Sequence, residues 1–516
     1  MRLAQCITAA FISSVTVFAA CGGSNKTGAS QSSTSDSTSN SGSGASSAKG
    51  GSGGTADVGS DVGGSGGDMT VAAGGSSAGG AGGAGGSGGM AGASVLAFGT
   101  YADIKVFAIE QIDFPGATKT PIKPMGLAGG YDLRTMAFSP NGKKLAISGS
   151  DTSSAKPVLN VYAGDGSGAP TTLATAPTVN QKITSVAFSP DGKWVAFLAE
   201  IDLNNQSSIY VTKADGSMAT PKRINPMPTV TTLNVSSFRW AKSADAAHAY
   251  LAYTGDLVTD GVYDAWTYDA VVGGAPVELI AQSKLMKGQA VAPEIVDWDK
   301  AGKVYLKSNH EVASAYRLYR ANADGTGFEQ VPATKLTNGM GESSIGNFAI
   351  SPDGSKIAFA ADAPSQHLYQ VYAGPIGMAA IAVSNLQTVA TTTDRGPSFF
   401  SPMVWSPDQK LIGVVADWQL KMSDIDNAFN AFVLPADKAG GVRLFPGSAV
   451  ATQDIDEARF SSNSARIFAT GDLAIDNGTE LYSTADFTTA DQPLNMVTAQ
   501  NVADANHDVT GFLVKP

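Results

Sequence analysis

Ala137-Phe-Ser-Pro-Asn-Gly-Lys-Lys-Leu-Ala-Ile-Ser148 is the stretch that decides the fold, because it recurs along the chain. Strong copies are Ala187-Phe-Ser-Pro-Asp-Gly-Lys-Trp-Val-Ala-Phe-Leu198 and Ala349-Ile-Ser-Pro-Asp-Gly-Ser-Lys-Ile-Ala-Phe-Ala360. A fourth, Val404-Trp-Ser-Pro-Asp-Gln-Lys-Leu-Ile-Gly-Val-Val415, has lost the glycine. Serine opens a tight turn, proline presets the next φ, Asp or Asn follows, and glycine supplies a positive φ. The apolar run after the turn predicts a strand covered on both faces.

Weaker copies complete a regular series of hairpins, whose two strands we call A and B. They begin at Phe238-Arg-Trp-Ala, Ile295-Val-Asp-Trp and Ala458-Arg-Phe-Ser, which makes seven hairpins at near-constant spacing. An aromatic-containing strand C usually follows, and a glycine turn such as Ala214-Asp-Gly-Ser217 often introduces a short strand D. Four strands per repeat predict the blades of a β-propeller.

The two ends of the repeat region supply the parts of one more blade. Residues 94–98 and 104–109 resemble strands B and C without a strand A, and residues 509–514 resemble the missing strand A. Pairing between them would close the ring and remove its free edges. We therefore expect an all-β propeller of eight four-stranded blades over residues 95–516. Seven blades, with the terminal strands added to a neighbour, is the alternative.

These motifs resemble the TolB-like and WD-repeat-like propeller repeat of bacterial envelope proteins, over roughly residues 100–516. TolB itself differs, because it carries a small α/β domain ahead of a six-bladed propeller and is not lipidated. The resemblance implies a propeller in the cell envelope, without implying TolB's particular role.

Residues 1–20 have the pattern of a lipoprotein signal peptide. Arg2 precedes an apolar run that is too short to span a bilayer. The sequence Val17-Phe-Ala-Ala-Cys21-Gly resembles the lipobox of bacterial lipoproteins, which implies acylation of Cys21, although Phe replaces the usual Leu. A plain signal peptide cut near Ala20 is the alternative. The glycine after Cys21 favours the outer membrane over the inner membrane.

Cysteine usage also favours the lipoprotein hypothesis. Cys6 and Cys21 are the only cysteines, and Cys6 would leave with the signal peptide. Residues 21–94 then combine the lipidated cysteine with a tether of Gly, Ser, Ala and Thr, which is too poor in large apolar residues to fold. The net charge of −11 argues against nucleic acid or an anionic lipid surface as a partner. We expect a monomer that contacts the membrane only through its lipid.

Most B strands end on an acid, which suggests a binding face. The acids are Asp151, Glu200, Asp256, Asp362, Asp417 and Asp472, with Asp103 and Asn309-His310-Glu311 at the corresponding places of two other repeats. They fall in B–C loops, opposite the Ser-Pro-Asp-Gly turns, where a ring of carboxylates would concentrate negative potential. The alternative is that each acid caps its own turn. Trp418, in an oversized B–C loop, is a further candidate.

Signals for catalysis or metal binding are weak. Gly75-Ser-Ser-Ala-Gly79 fits the nucleophile-elbow pattern but lies in the tether, without a strand before it or a helix after it. The histidines are His248, His310, His367 and His507, and none forms a metal-spaced pair, although the last three could meet in a composite site. Trp194, Trp240, Trp298 and Trp405 sit at hairpin positions typical of packing between blades. We predict no catalytic residue, metal or cofactor.

The sequence thus favours a non-enzymatic envelope lipoprotein whose propeller is an interaction platform for another envelope protein. The alternative is a ligand-binding or hydrolase/lyase-type propeller that acts on an envelope glycan or peptide at the channel mouth.

Overall fold

The computed structural model describes fifteen stretches of the chain: residues 93–101, 106–114, 118–127, 133–226, 233–259, 261–280, 291–312, 315–337, 341–363, 369–384, 403–418, 429–445, 454–473, 479–490 and 508–516. The signal peptide, Cys21 and the tether up to residue 92 lie outside them and remain predictions. Within the described stretches no helix is long and apolar enough to cross a membrane.

The strands form eight antiparallel sheets, which are the blades of a propeller. Blade 1 contains β1 (Ser94–Tyr101), β2 (Val106–Asp113), β3 (Thr118–Ile122) and β31 (Asp508–Val514). Blade 2 contains β4 (Thr135–Phe138), β5 (Lys144–Ser150), β6 (Pro157–Ala163) and β7 (Thr171–Thr175). Blade 3 contains β8 (Ile183–Phe188), β9 (Trp194–Ala199), β10 (Ser208–Lys213) and β11 (Lys222–Arg223). Blade 4 contains β12 (Val235–Trp240), β13 (Tyr250–Thr259), β14 (Val262–Asp269) and β15 (Val277–Glu278).

The second half of the ring repeats the pattern. Blade 5 contains β16 (Val291–Trp298), β17 (Lys303–Ser308), β18 (Arg317–Asn322) and β19 (Glu329–Gln330), followed by a 3₁₀ turn at Pro332–Thr334. Blade 6 contains β20 (Ile345–Ile350), β21 (Lys356–Ala361), β22 (Gln370–Pro375) and β23 (Ile381–Ala382). Blade 7 contains β24 (Val404–Trp405), β25 (Leu411–Ala416), β26 (Asn430–Pro435) and β27 (Val442–Arg443). Blade 8 is described over β28 (Ile455–Phe460), β29 (Ile467–Gly471) and β30 (Glu480–Thr484).

The C-terminal strand closes the ring in the manner that the sequence predicts. β31 pairs with β1, with Leu513 opposite Leu96, and serves as strand A of blade 1. Its side chains alternate between neighbours, since Phe512 packs near Phe468 of blade 8 and Leu513 joins the core with Met136 of blade 2. The expectation of eight blades is therefore confirmed over seven.

The serine of each Ser-Pro-Asp-Gly turn links both ends of the turn. In blade 3 the Ser189 hydroxyl donates to Asp191 Oδ1 at 2.6 Å and accepts the Trp194 N–H at 3.0 Å. Gly192 has φ +68°, a left-handed conformation that glycine adopts without strain. In blade 7, Gln409 takes that position with φ +61°. The strand after each strong turn is almost fully buried, as expected for a strand covered on both faces.

Tryptophans at the ends of A strands link neighbouring blades. The indole Nε1–H donates to a strand A carbonyl of the preceding blade at 3.1 Å in three places: Trp240 to Ala187, Trp298 to Arg239 and Trp405 to Ala349. The predicted inter-blade role of these side chains is confirmed. Trp194 differs, because it is half-buried with the Lys213 ammonium 4.9 Å from its ring centroid.

A buried ion cluster also spans three blades. Asp297 of β16 is 1% exposed and lies 3.3 Å from Arg239 and 3.1 Å from Lys242, both of blade 4. Its Oδ2 also accepts the Ile350 N–H of blade 6 at 2.9 Å. Burial opposes ionisation, but the charges of Lys242 and Arg239 keep the pKa of Asp297 below its ordinary value.

Candidate functional site

Two faces of the ring follow from the strand order. The A–B and C–D turns lie on one edge of each blade, which we call the turn face. The B–C and D–A loops lie on the other edge, which we call the loop face. Strand A of each blade lies innermost, at the central channel that propeller blades surround. The acids at the ends of the B strands therefore lie on the loop face.

Three of these acids make the same contacts. Each carboxylate accepts the backbone N–H of the residue that precedes strand A of its own blade: Asn234 to Asp256 at 2.7 Å, Ser344 to Asp362 at 2.6 Å and Asp454 to Asp472 at 2.5 Å. Each acid also donates its own N–H to the carbonyl of that residue. These carboxylates thus cap backbone groups of the D–A loop, and Asp256 also accepts the Gly261 N–H of its own B–C turn at 3.3 Å.

The residue before strand A extends the link to the preceding blade. Its side-chain oxygen accepts the N–H of the residue that precedes strand C there: Ser207 to Asn234 at 2.8 Å, Tyr316 to Ser344 at 3.2 Å and Phe429 to Asp454 at 2.7 Å. The acids are thereby part of polar chains that join blade 3 to 4, blade 5 to 6 and blade 7 to 8. Their recurrence has a structural cause.

Asp151 instead caps its own turn. Its Oδ1 accepts the N–H groups of Ser153 at 2.9 Å and Ser154 at 2.8 Å. The Ser153 hydroxyl and these N–H groups lower the pKa of Asp151 to about 2. This carboxylate matches the capping alternative that the sequence left open.

The other sequence candidates are not brought together. Glu200 and Asp417 are half-buried, and Asp103 lies outside the described residues. His310 is buried with its ring 4.5 Å from that of Tyr319. Trp418 is 3% exposed and packs edge-on against Phe432, with ring centroids 5.0 Å apart. His310 and Trp418 therefore lie in the packed interior of their blades.

A group of acids that the sequence reading missed lies where blade 8 meets the channel mouth. Asp456 is the extra residue of a β-bulge in β28, because Ile455 pairs with Gly471 and Glu457 with Thr470. Its side chain is exposed, whereas the corresponding bulge residues of blades 3 and 4 are the uncharged Thr184 and Ser236. The acid at a place where blades 3 and 4 have hydroxyl residues was a weak signal, because blade 5 also has an acid, Glu294, four residues before the end of its strand A.

The electrostatics of this acid group are unusual. Although water reaches the Asp456 carboxyl, the surrounding blades crowd it and partly desolvate it, and together with the charges of Asp472, Asp454 and Glu457 they raise its pKa to about 7. Burial and the nearby Asp472 raise the pKa of Asp454 to about 6, although the Phe429 N–H opposes this. The group can therefore hold or release protons near neutral pH. In the described stretches no three His, Cys, Asp or Glu side chains converge as metal ligands would.

Exposed apolar side chains also lie on the loop face. They occupy successive positions from blade 1 to blade 4, namely Met125, Val179, Leu203 and Val258, each between 41% and 60% exposed. Val258 lies near the tip of the β13–β14 hairpin, whose first strand has 10 residues. On the turn face the exposed large apolar residues of the described stretches are confined to blades 4 and 6 (Val271, Val272, Met378 and Ile381).

Comparison with known proteins agrees with the fold. Residues 171–198, which run from β7 to β9, match the family model of the WD domain, G-beta repeat. No curated protein sequence matches the chain.

Similar solved structures are distant in sequence. Dipeptidyl peptidase 4 from Porphyromonas gingivalis is 10% identical, with a TM-score of 0.49, covering 76% of this chain and 58% of that one. An oligogalacturonate lyase in complex with manganese is 14% identical, with a TM-score of 0.42 and coverages of 77% and 99%. A protein from Agrobacterium tumefaciens assigned as TolB is 15% identical, with a TM-score of 0.29 and coverages of 57% and 89%. The observed blades and the repeat motif lead to one conclusion: this chain is an eight-bladed β-propeller, in which residues 171–198 match the WD domain, G-beta repeat.

Proposed function

We propose that this chain is an outer-membrane lipoprotein whose propeller binds another envelope protein through its loop face. The lipobox-like sequence ending at Cys21 supports the anchor, and the Gly/Ser-rich segment supports a flexible tether that lets the propeller reach its partner.

The row of exposed apolar side chains is the observation that carries the binding role. Single exposed apolar residues are common on protein surfaces, but Met125, Val179, Leu203 and Val258 follow one another across the same face of neighbouring blades. Three of the recurring acids are held by backbone N–H groups, so they shape the loops of this face. A rigid face with apolar contacts and structured loops suits a protein partner.

Crosslinking in intact envelopes tests this proposal. We expect Leu203→Ser with Val258→Ser to lose most of the crosslinked partner that the wild-type protein captures. Met378→Ser with Ile381→Ser, which removes two exposed apolar side chains from the turn face, is the matched control and should keep the partner. Equal capture by both double variants would exclude the loop face.

The proposed anchor is tested separately by fractionation. Cys21→Ser should move to the soluble fraction, and unchanged membrane partition would exclude the anchor.

A second function is favoured by the acids at the channel mouth. A carboxyl with a pKa of about 7, as for Asp456, suits a general acid or base at neutral pH. We propose as the alternative a propeller that binds or cleaves an envelope glycan or peptide at this mouth. Loss of a glycan- or peptide-cleaving activity in Asp456→Asn, with partner capture unchanged, would favour it over the interaction platform.

A further inference from the structure

A cavity of about 200 Å³ opens on the turn face between blades 4 and 5. Its walls include His248, Tyr250, Tyr268, Asp269 and Asp324, all in described stretches. None of these residues belongs to the loop face, so a ligand site in this cavity would be independent of the proposed function.

The aromatic walls of the cavity are held in place by stacking. The His248 ring lies 5.2 Å from that of Tyr250 at an angle of 9°, and Tyr250 in turn lies 6.3 Å from Trp298. Tyr268 already receives one ammonium group from the blade 3 side, since Lys222 Nζ is 2.8 Å from its hydroxyl and 5.2 Å from its ring centroid. Aromatic faces attract cations, and this ring shows that attraction within the chain.

Carboxylates give the cavity a negative potential. Asp269 Oδ2 lies 2.6 Å from His248 Nδ1, which orients the imidazole, and Oδ1 accepts the Ala249 N–H at 3.1 Å. Asp324 Oδ1 accepts the Thr326 N–H and hydroxyl at 3.0 and 2.6 Å, whereas Oδ2 has no hydrogen-bond partner among the described residues. Burial, followed by the charges of Asp269, Asp324 and Asp245, raises the pKa of Tyr250.

At the equivalent place between blades 2 and 3, a lysine of the chain itself bridges the two blades. Lys144 begins strand B of blade 2, as Tyr250 does in blade 4. Its Nζ donates to Ala214 O at 3.3 Å, in the Ala214-Asp-Gly-Ser turn of blade 3. The Ala323-Asp-Gly-Thr turn of blade 5 lines the cavity at the equivalent place, where Ala323 O accepts the Thr267 hydroxyl at 2.5 Å instead of an ammonium group. Blade 2 therefore has the ammonium of Lys144 at this position, whereas blade 4 has the Tyr250 ring beside an open cavity.

Blade 3 repeats this contrast with different residues. Its first strand B residue, Trp194, pairs with Lys213, whose ammonium covers the indole. In blade 4 the corresponding cross-strand pair is Tyr250 with Asp269. The Lys213 ammonium of blade 3 is thus replaced by the Asp269 carboxylate. The cavity thus has an aromatic ring, Tyr250, where blade 2 has the ammonium of Lys144, and a carboxylate, Asp269, where blade 3 has the ammonium of Lys213.

We propose that this cavity binds an alkyl-ammonium group, either the lysine side chain of a polypeptide or a free alkyl amine. The ammonium would lie between Asp324 and Asp269, and its methylene chain would cover Val272, which is 67% exposed.

Ligand-observed saturation-transfer NMR with the full-length protein tests the site. The probes are N-acetyl-lysine methylamide and 1,5-diaminopentane, and N-acetyl-norleucine methylamide is the uncharged control. We expect saturable signals from at least one amine and none from the norleucine compound. Asp324→Asn, which keeps the acceptor for Thr326, should weaken amine binding about tenfold. Asp215→Asn, at the equivalent turn of blade 3, should bind as the wild type does.

The outcomes separate clearly. Saturation by the lysine compound assigns the site to a polypeptide, and saturation by diaminopentane alone assigns it to free amines. Absence of saturable signals from both amines, equal binding of the norleucine compound, or undiminished binding by Asp324→Asn would overturn the proposal. Tyr250→Leu provides a second variant if Asp324→Asn melts below the wild-type protein, and it too should weaken binding.

Discussion

At the scale of single residues, Asp456 shows how position changes the chemistry of a carboxyl. Asp215 and Asp456 are both exposed, but Asp215 accepts the Ser217 N–H in an open turn and its pKa is lowered. Asp456 lies at the channel mouth beside Asp454 and Asp472, and its pKa rises to about 7. Hydrogen bonds, crowding by the surrounding protein and like charges therefore decide the protonation state of these exposed carboxyls.

The raised pKa values predict a pH-dependent stability. Asp454 and Asp456 bind protons more tightly in the folded state than in the unfolded state, where the ordinary pKa is about 3.9. Their contribution is therefore fully present below about pH 4 and is lost as the pH rises through 6 and 7. Asp456→Asn should shrink the loss of unfolding free energy between pH 5 and pH 8, measured by denaturant unfolding. Asp215→Asn should leave it unchanged, and parallel curves for Asp456→Asn and wild type would refute this account.

At the scale of elements, the Ser-Pro-Asp-Gly hairpin is a unit that the sequence specifies locally. All of its key contacts lie within six residues, as Ser189 bonding to Asp191 and Trp194 shows. Hairpin positions were therefore predictable. The polar chains of the loop face were not predictable from the sequence, because Asn234 joins Ser207 of blade 3 to Asp256 of blade 4, which is 49 residues further along the chain. The interior place of Trp418 likewise depends on its contact with Phe432 on the next strand.

Removal of the Ser189 hydroxyl tests how much this turn contributes to the stability of the fold. Ser189 is fully buried, so Ser189→Ala would leave the Trp194 N–H without its acceptor. We expect the free energy of unfolding to fall by about 1–3 kcal/mol, measured by guanidinium unfolding with tryptophan fluorescence. Ser217→Ala, at an exposed turn of the same blade, is the control and should change it little. A loss no larger than that of the control would mean that the proline and glycine suffice to form the turn.

At the scale of the whole molecule, the order of the strands along the repeats favoured a closed ring of blades. Seven complete hairpins, an N-terminal start without strand A and a C-terminal strand without a blade favour an eighth blade made by the two ends over seven blades with the terminal strands added to a neighbour. The observed pairing of β1 with β31 realises this. The acids of blade 8 could not be predicted in this way, because their pKa values arise from neighbours that only the closed ring brings together.

Truncation of the C-terminal strand tests whether the ring is closed. Deleting residues 508–516 removes β31, including the buried Val509, Phe512 and Leu513. Each such side chain stabilises the fold by roughly 1.5–3 kcal/mol, and the deletion also exposes the edge of β1 with which β31 pairs. Differential scanning calorimetry should show the truncated protein melting far below the full-length protein or aggregating, whereas deletion of most of the tether should leave the melting temperature unchanged. A truncated protein that unfolds at the wild-type temperature would contradict the eight-bladed closed ring.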